Sequence, residues 1–188
     1  MTVTLRSPAF EPGAPIPARF DHERGDLSPA LAWDGVPEGT AALVLLADDP
    51  DAPVEGSFVH WVRYNLDPAR QGIAEGEEPA EAAAGANGFG RPGYLGPAPP
   101  PGDDPHHYIF RLLAVDQPVP LTGLPCCQDV GTAVTGRILG EARLTGTYRR
   151  WPEACAWGPG HRRASLQAVD PATCPGAVSA RREGDAAD

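Results

Sequence analysis

The sequence predicts a mainly β protein, because its apolar residues form short runs that are typical of strands. The clearest three are residues 42–47 (ALVLLA), 58–66 (FVHWVRYNL) and 106–116 (HHYIFRLLAVD), all rich in β-branched, aliphatic or aromatic residues. A shorter run, LAW at 31–33, is followed by the turn signal DGVPEG. The 23 prolines and 22 glycines favour turns and loops between such strands.

One segment has helical spacing. In DVGTAVTGRILGEA, residues 129–142, the apolar positions are Val130, Val134, Ile138 and Ala142, and Asp129 is available as the N-cap. We therefore predict a helix there, followed by a closing strand over residues 144–150 (LTGTYRR).

The region between the strands at 58–66 and 106–116 has no periodicity. It contains an acidic, alanine-rich loop, EGEEPAEAAAGA, and a glycine-rich loop, GANGFGRPG. The proline run GPAPPPG at residues 96–102 predicts a stiff, extended segment.

Composition limits the function classes. A chain of 188 residues with a formal net charge of -10 fits one domain, and its charge argues against nucleic acid and against stable association with an anionic membrane. The N-terminus lacks the pattern of a signal peptide and no run of 18 apolar residues occurs, so we expect a soluble, cytoplasmic protein. The four cysteines are expected to be reduced thiols, since two are adjacent and the others lie near the end.

The composition changes after residue 150. We predict a domain over residues 1–150 and an extension over 151–188, of which the part to about residue 158, with Trp151 and Trp157, docks on the domain and the remainder is disordered.

The stretch LVLLADDPDAP, residues 43–53, places three aspartates directly after a predicted strand. Four interpretations of this turn are open: it holds a metal, it supplies catalytic carboxylates, it supports an anion site, or it is a solvated turn with no function. An EF-hand loop starting at Asp49 is excluded, because Pro53 and Val54 stand where the loop needs a ligand and a glycine. The literal G-x-G-x-x-G at residues 88–93 follows no strand and opens no helix, so it does not indicate a dinucleotide site.

Two histidines lie near the ends of predicted strands. His60 follows the aspartates, and His106 opens the strand after the proline run. If Asp49 and Asp51 meet these imidazoles at one sheet end, the carboxylates would favour protonated imidazoles and create a polar pocket. The loop at 94–102 would add backbone N–H donors for an oxyanion.

Several motifs, in order, now identify a resemblance. DLSPALAWDGVPEGT, DDPDAP, HWVRYNL, GYLGPAPPPG, HHYIFRLLAVD and GRILGEARLTGTYRR resemble the phosphatidylethanolamine-binding protein family, and most of all its bacterial Raf-kinase-inhibitor-like branch, over roughly residues 3–150. The resemblance implies an antiparallel β-sandwich with one or two short C-terminal helices. It also implies a small pocket at one end that binds phosphate-like anions.

The resemblance also implies which residues form that pocket. They are Asp49, Asp51 and Pro53 in the first loop, His60 in the strand, Gly96, Ala98, Pro99 and Pro100 in the anion-binding loop, and His106 with Tyr108 in the last element. The aspartates would orient and charge the histidines, while Tyr108 and the loop amides would complete the pocket.

The chain departs from the family pattern at several positions. His107 stands where arginine is usual, and strand alternation predicts that His106 and Tyr108 share one face while His107 lies on the other. A tryptophan often found before the strand histidine is replaced around Phe58. In animal relatives a C-terminal segment lies near the pocket, so Trp151 or Trp157 would be placed to act as a lid.

Three functions are compatible with these residues. The leading one is a non-catalytic protein that binds phosphate-bearing or carboxylate-bearing small molecules and regulates a kinase or protease partner. An enzyme is the alternative, with Asp49, Asp51, His60 and His106 performing general acid–base chemistry such as isomerisation, cyclisation or hydrolysis. A metal held by two histidines and a carboxylate is a third reading, but the anion site requires neither a metal nor a cofactor, and none is predicted.

Overall fold

The computed structural model describes residues 2–151 of the chain. In this part, eight strands and one α-helix form the regular structure. The strands are β1 (Thr4–Arg6), β2 (Leu31–Asp34), β3 (Ala42–Asp49), β4 (Phe58–Leu66), β5 (Gly72–Ile73), β6 (Ala83–Ala84), β7 (His106–Val115) and β8 (Ile138–Tyr148). The helix α1 spans Cys127–Val134, and two 3-10 turns lie at Ala18–Phe20 and His22–Arg24.

The strands form two antiparallel sheets that share a core. The larger sheet has the order β6-β4-β3-β7-β8, and the smaller has the order β1-β2-β5. Buried side chains from both sheets meet in one apolar cluster, in which Leu5 and Trp33 of the small sheet join Leu45, Leu112 and Leu144 of the large sheet. The predicted mainly β, sandwich-like fold is therefore confirmed.

Strand β3 lies at the centre of the larger sheet, and all eight of its residues are buried. Because side chains alternate along a strand, Leu43 and Leu45 enter the core between the sheets. Val44 and Leu46 enter a second core on the opposite face, which α1 covers. Burial on both faces explains why this segment is a continuous apolar run rather than an alternating one.

The predicted strands at residues 31–33, 42–47, 58–66 and 106–116 are confirmed, with ends that differ by two residues or fewer. The sequence did not indicate β1, β5 or β6. These strands have only two or three residues, and such short segments show no period of their own.

The predicted helix over residues 129–142 is wrong in its second half. Helix α1 begins after Cys126, so Asp129 is not the N-cap; it is the third helical residue, and its carboxylate accepts the Cys126 N–H at 3.1 Å. The chain turns at Gly136, which has a φ of 75°, a conformation that glycine adopts without strain.

Ile138 and Ala142 belong instead to β8, which contains residues 144–148 of the predicted closing strand but starts at residue 138 and ends at Tyr148. Ala142, Leu144 and Gly146 alternate with exposed or half-buried residues, and β8 pairs with β7 over its whole length. The alternation of side chains in β8 and its hydrogen-bonded pairing with β7 therefore outweighed a helical spacing that fits the same residues.

The prediction for the C-terminal extension concerns residues that lie outside the described part of the chain, with one exception. Trp151 is 74% exposed, and the Arg149 guanidinium lies 4.9 Å from its ring centroid. Over residues 2–151, no helix has the length and apolar character needed to cross a membrane.

Two leucines of β8 test this fold directly. Leu144 is 1% exposed and Leu139 is 45% exposed. Leu144→Ala should lower the free energy of unfolding by about 2–5 kcal/mol, because it leaves a cavity between the sheets, whereas Leu139→Ala should cost less than about 1 kcal/mol. Urea denaturation of both variants measures the difference, and equal losses would contradict the placement of β8.

Candidate functional site

Four of the sequence-predicted site residues, Asp49, His60, His106 and Tyr108, come from strands that meet at one end of the larger sheet. Asp49 is the last residue of β3, and it pairs with Phe58 at the start of β4. Since β3 is antiparallel to both neighbours, its C-terminal end lies beside the first residues of β4 and β7, which carry His60 and His106. The imidazole of His60 and the ring of Tyr108 are 5.0 Å apart between centroids.

His106 and Asp49 form a buried pair. The Nδ1 atom of His106 lies 2.9 Å from Asp49 Oδ2, and the side chains are only 7% and 4% exposed. The other carboxylate oxygen accepts the Asp51 N–H at 2.9 Å. Because a carboxylate accepts hydrogen bonds, Nδ1 of His106 carries the proton and the ring is held in one orientation.

His60 is held differently. Its Nδ1–H donates to the backbone carbonyl of Leu95 at 2.8 Å, and the acceptor fixes the tautomer because a carbonyl has no proton to give. Burial lowers the pKa of His60, although the Leu95 carbonyl and the Asp49 charge act in the opposite direction. His60 is therefore neutral at neutral pH, with a lone pair on Nε2.

Asp51 does not orient His60 or His106. Its carboxylate accepts both the backbone N–H of His107 at 2.8 Å and the Nδ1–H of the same residue at 2.7 Å. The side chains are exposed, and the imidazole hydrogen bond holds the pKa of Asp51 below its usual value. Asp51 thus joins the exposed turn after β3 to the first residues of β7, and Pro53 is also exposed.

The alternation predicted for β7 is observed. His106 and Tyr108 are buried, and His107 points outward. The residue that stands in place of the usual arginine therefore faces the outer surface and binds Asp51 rather than the pocket.

The loop at residues 94–102 is attached to the chain segment around the 3-10 turns. Gly96 N–H donates to Asp26 Oδ1 at 2.8 Å, and the Pro97 carbonyl accepts the His22 N–H at 3.2 Å. Asp26 also accepts from His22 Nδ1 at 2.8 Å. Within the loop Gly96 and Pro99 are buried, Ala98 is half-buried and Pro100 is exposed.

Sequence reasoning missed the residues that hold this loop, Asp26 and His22. They lie about 70 residues before the loop and show no recognisable spacing relative to it. The Leu95 carbonyl was missed for another reason: every residue has a carbonyl, so no sequence signal distinguishes the one that orients His60.

The hydroxyl of Tyr108 is buried without a hydrogen-bond partner among the described residues. The Asp49 carboxylate and the Ala98 backbone lie beside it, but neither forms a hydrogen bond of normal geometry with it. Burial raises the pKa of Tyr108 above its usual value, so the hydroxyl keeps its proton at neutral pH. A buried hydroxyl is normally paired, which makes this one a donor in need of an acceptor.

An aromatic wall flanks the two pocket rings. Phe58 lies 5.0 Å from His60 and 5.4 Å from Phe89, measured between ring centroids, and both phenylalanines are half-buried. Phe58, which pairs with Asp49 at the start of β4, stands near the position where the family often has a tryptophan. The two phenylalanine rings thus lie on one side of the polar group formed by His60 and Tyr108.

The metal hypothesis requires a cluster of ligating side chains. In residues 2–151, no group of three or more histidine, cysteine, aspartate or glutamate side chains is arranged to hold a metal ion.

Comparison with known proteins finds a family whose sequence pattern this chain matches. Residues 6–149 match the phosphatidylethanolamine-binding protein family. A UPF0098 protein of Methanothermobacter thermautotrophicus is 40% identical over 153 residues, which are 79% of this chain and 99% of that protein. LppC of Mycobacterium tuberculosis, named as a candidate lipoprotein, is 40% identical over 78% of this chain and 72% of its own.

Two solved structures are similar in fold as well as in sequence. The homologue CT736 of Chlamydia trachomatis has a TM-score of 0.75 and 35% identity, with 79% of this chain and 98% of that chain covered. YbcL of Escherichia coli has the same TM-score and 28% identity, with 79% and 99% covered.

Gly96 provides a test of how the loop is held. A Cβ atom there would meet the backbone of Phe20, Asp21 and His22, with 2.5 Å to the His22 nitrogen. We expect Gly96→Ala to lower the free energy of unfolding by about 1–3 kcal/mol, because backbone cannot move aside as a side chain does.

Gly131 of α1 is the matched control, since a Cβ there meets nothing within 4 Å. Gly131→Ala should be neutral or stabilising by up to about 1 kcal/mol. Urea denaturation compares the two, and a Gly96→Ala protein as stable as the parent would show that the loop is not held in this way.

Proposed function

Because the chain belongs to the phosphatidylethanolamine-binding protein family, we propose that it binds small phosphate or carboxylate anions, without catalysis, in the pocket formed by His60, His106, Tyr108 and the loop at residues 94–102. One observation carries this proposal: the buried Tyr108 hydroxyl forms no hydrogen bond of normal geometry with any described residue, although the Asp49 carboxylate lies beside it. An anion oxygen in the pocket would supply an acceptor. Hydrogen bonds to a charged group are also among the stronger ones in proteins.

The two histidines support an anion in different ways. Each has its Nδ1 atom occupied, by Leu95 in one case and by Asp49 in the other, so Nε2 is the atom that would act on a ligand. The Nε2 atom of His106 also lies 3.7 Å from the Asp103 carboxylate. A protonated Nε2 donates to an anion oxygen. A neutral Nε2 accepts the proton of a phosphate monoanion instead.

Anion binding should therefore be coupled to proton uptake at His60. In the free protein the pKa of His60 is lowered by burial, so the imidazole is neutral. A bound anion favours the protonated ring and raises this pKa. By linkage, the affinity rises as the pH falls from the pKa of the bound form towards the lower pKa of the free form.

An NMR titration of the imidazole signals against phosphate and phosphoethanolamine tests this coupling. We expect the signals of His60 and His106 to shift and the pKa of His60 to rise on binding. His107 is an internal control, because its ring faces the outer surface and binds Asp51. Equal shifts of all three histidines, or no shift with either ligand, would contradict the proposal.

Removal of the Tyr108 hydroxyl should affect phosphate binding and the stability of the fold in different directions. Tyr108→Phe should weaken phosphate binding roughly tenfold, since a donor to a charged ligand is lost. The folded protein should be as stable as the parent or more so, because an unpaired buried hydroxyl is removed. Calorimetric titration and thermal denaturation measure the two effects.

Tyr64→Phe is the matched control for this experiment. Its hydroxyl donates to the Leu121 carbonyl at 3.4 Å, and its side chain packs in the second core, on the other face of the sheet. This variant should bind phosphate like the parent. Unchanged binding by Tyr108→Phe would remove the main support for the proposal.

General acid–base catalysis is the second candidate function, favoured by the buried Asp49–His106 pair. A carboxylate that fixes the tautomer and orientation of an imidazole is a common arrangement in catalytic sites. Asp51 binds His107 rather than His60 or His106, so it is left out of this candidate catalytic group. Tyr108 would take its place as a hydrogen-bond donor.

The cytoplasmic location and the protein partner, a kinase or a protease, stay predictions from the sequence. The similarity to a mycobacterial protein named as a candidate lipoprotein makes location a separate question from ligand binding. The pocket lies within one chain, so the proposed anion binding requires no protein partner.

A further inference from the structure

Asp103 places a second carboxylate beside His106. The Nε2 atom of His106 lies 3.7 Å from Asp103 Oδ2, whereas its Nδ1 atom binds Asp49 at 2.9 Å. The first distance exceeds that of a hydrogen bond, so the Asp103 carboxylate and the imidazole do not satisfy each other. A surface cleft of about 630 Å³ is lined by both side chains, which gives a ligand access to the pair from solvent.

The backbone of the loop holds Asp103 in this position. Its N–H donates to the Pro100 carbonyl at 3.3 Å, and its carbonyl accepts from Nε of Arg149 at 3.0 Å. The N–H of the preceding Gly102 donates to the Arg150 carbonyl at 3.1 Å. The loop and the residues after β8 thus fix the main chain on both sides of the carboxylate, so its place beside His106 is set by the fold.

The two aspartates of this loop differ in their partners. Asp104 is fully exposed, and its carboxylate lies 3.1 Å from Nη2 of Arg149. Among residues 2–151, the Asp103 carboxylate has no arginine partner, and its one ion pair is with His106. A carboxylate that no arginine neutralises repels an anion, unless the anion donates a hydrogen bond to it.

Oxyanions that keep a proton meet this requirement. An ionised carboxylate only accepts hydrogen bonds, and it does so in every protonation state of the two pocket imidazoles. At neutral pH phosphate retains a P–OH group, which can donate to Asp103 while another oxygen accepts from Tyr108. Sulfate has a similar shape but is fully ionised, so it would bring only lone pairs against the carboxylate. A site that needs a hydrogen from its ligand rejects an analogue that lacks one.

Building on the proposed anion binding, we propose that Asp103 makes the pocket selective for protonated oxyanions. The P–OH of hydrogen phosphate, or of a phosphate monoester that keeps a proton, donates to Asp103, and another oxygen of the same ligand binds Nε2 of His106. Sulfate and phosphodiesters have no such hydrogen and are disfavoured. The same residue therefore separates free phosphate from the phosphodiester of a lipid headgroup. The formal net charge of -10 opposes all anions and does not produce this selection.

Calorimetric titration at about pH 8 tests the selection at equal ligand charge, because phosphate and sulfate are then both mainly dianions that differ by one hydrogen. The parent chain should bind phosphate at least about tenfold more tightly than sulfate. Dimethyl phosphate, a phosphodiester, should bind as weakly as sulfate although its charge is smaller. A dimethyl phosphate affinity equal to that of phosphate would overturn the proposal.

Asp103→Asn should remove most of this discrimination. The amide offers an N–H donor in place of one carboxylate oxygen and keeps one acceptor, so the ratio of phosphate to sulfate affinity should fall roughly tenfold, through tighter sulfate binding. Asp104→Asn is the matched control, since it removes the same charge from the adjacent residue that pairs with Arg149. Its affinity ratio should equal that of the parent, and circular dichroism should show that both variants are folded.

The outcomes separate this proposal from the proposed function. Equal affinities of the parent chain for phosphate and sulfate would overturn the selection by Asp103 and leave anion binding standing. An Asp103→Asn variant that gains affinity for both anions by the same factor, or whose affinity ratio stays that of the parent, would do the same. If neither anion binds the parent chain, both proposals fail.

Discussion

The burial of strand β3 on both faces is the constraint on which the rest of the structure depends. Its side chains enter the core between the sheets and the second core beneath α1, and its backbone is paired on both sides, with β4 and with β7. A strand so enclosed cannot slip, because a shift by one residue would exchange its two faces. The end of β3 is therefore a fixed point, and Asp49 stands there beside the first residues of β4 and β7.

The three aspartates after the apolar run have three separate roles. Asp48 faces the side of α1, where it accepts from Arg111 at 2.8 Å and from Ser57 at 2.9 Å. Asp49, one residue later, faces the pocket and orients His106. Asp51 lies outside and binds His107. Alternation along the strand separates the first two charges, and the proline-containing turn directs the third away.

The pocket unites groups that are each costly to bury alone. The neutral His60, the paired His106 and the unpaired Tyr108 hydroxyl occupy the same end of the sheet, although an unsatisfied buried donor costs about 1–3 kcal/mol. Under the proposed function, an anion oxygen would supply the missing acceptor. The rigid sheet and the attachment of Gly96 to Asp26 would hold the donor in place for it.

Local sequence determined the long strands of this protein, and the resemblance to the family named the candidate site residues. The apolar runs of β3, β4 and β7 predict strands because their length and composition suit no other element, and the ordered motifs point to the family and to the positions of His60, His106 and Tyr108. Alternation on β7 also predicts that His107 lies outside.

The tertiary structure decided what each of these residues contacts. Residues 138–142 fit a helical spacing as well as a strand spacing, and only the ladder to β7 selected the strand. The partner of Asp51, the carbonyl that fixes the His60 tautomer and the Asp26 anchor of the loop all depend on contacts between segments that are distant in the chain. Sequence patterns report which side chains prefer burial and with what period, but hydrogen bonds between distant segments are set by three-dimensional packing, which leaves no local period to read.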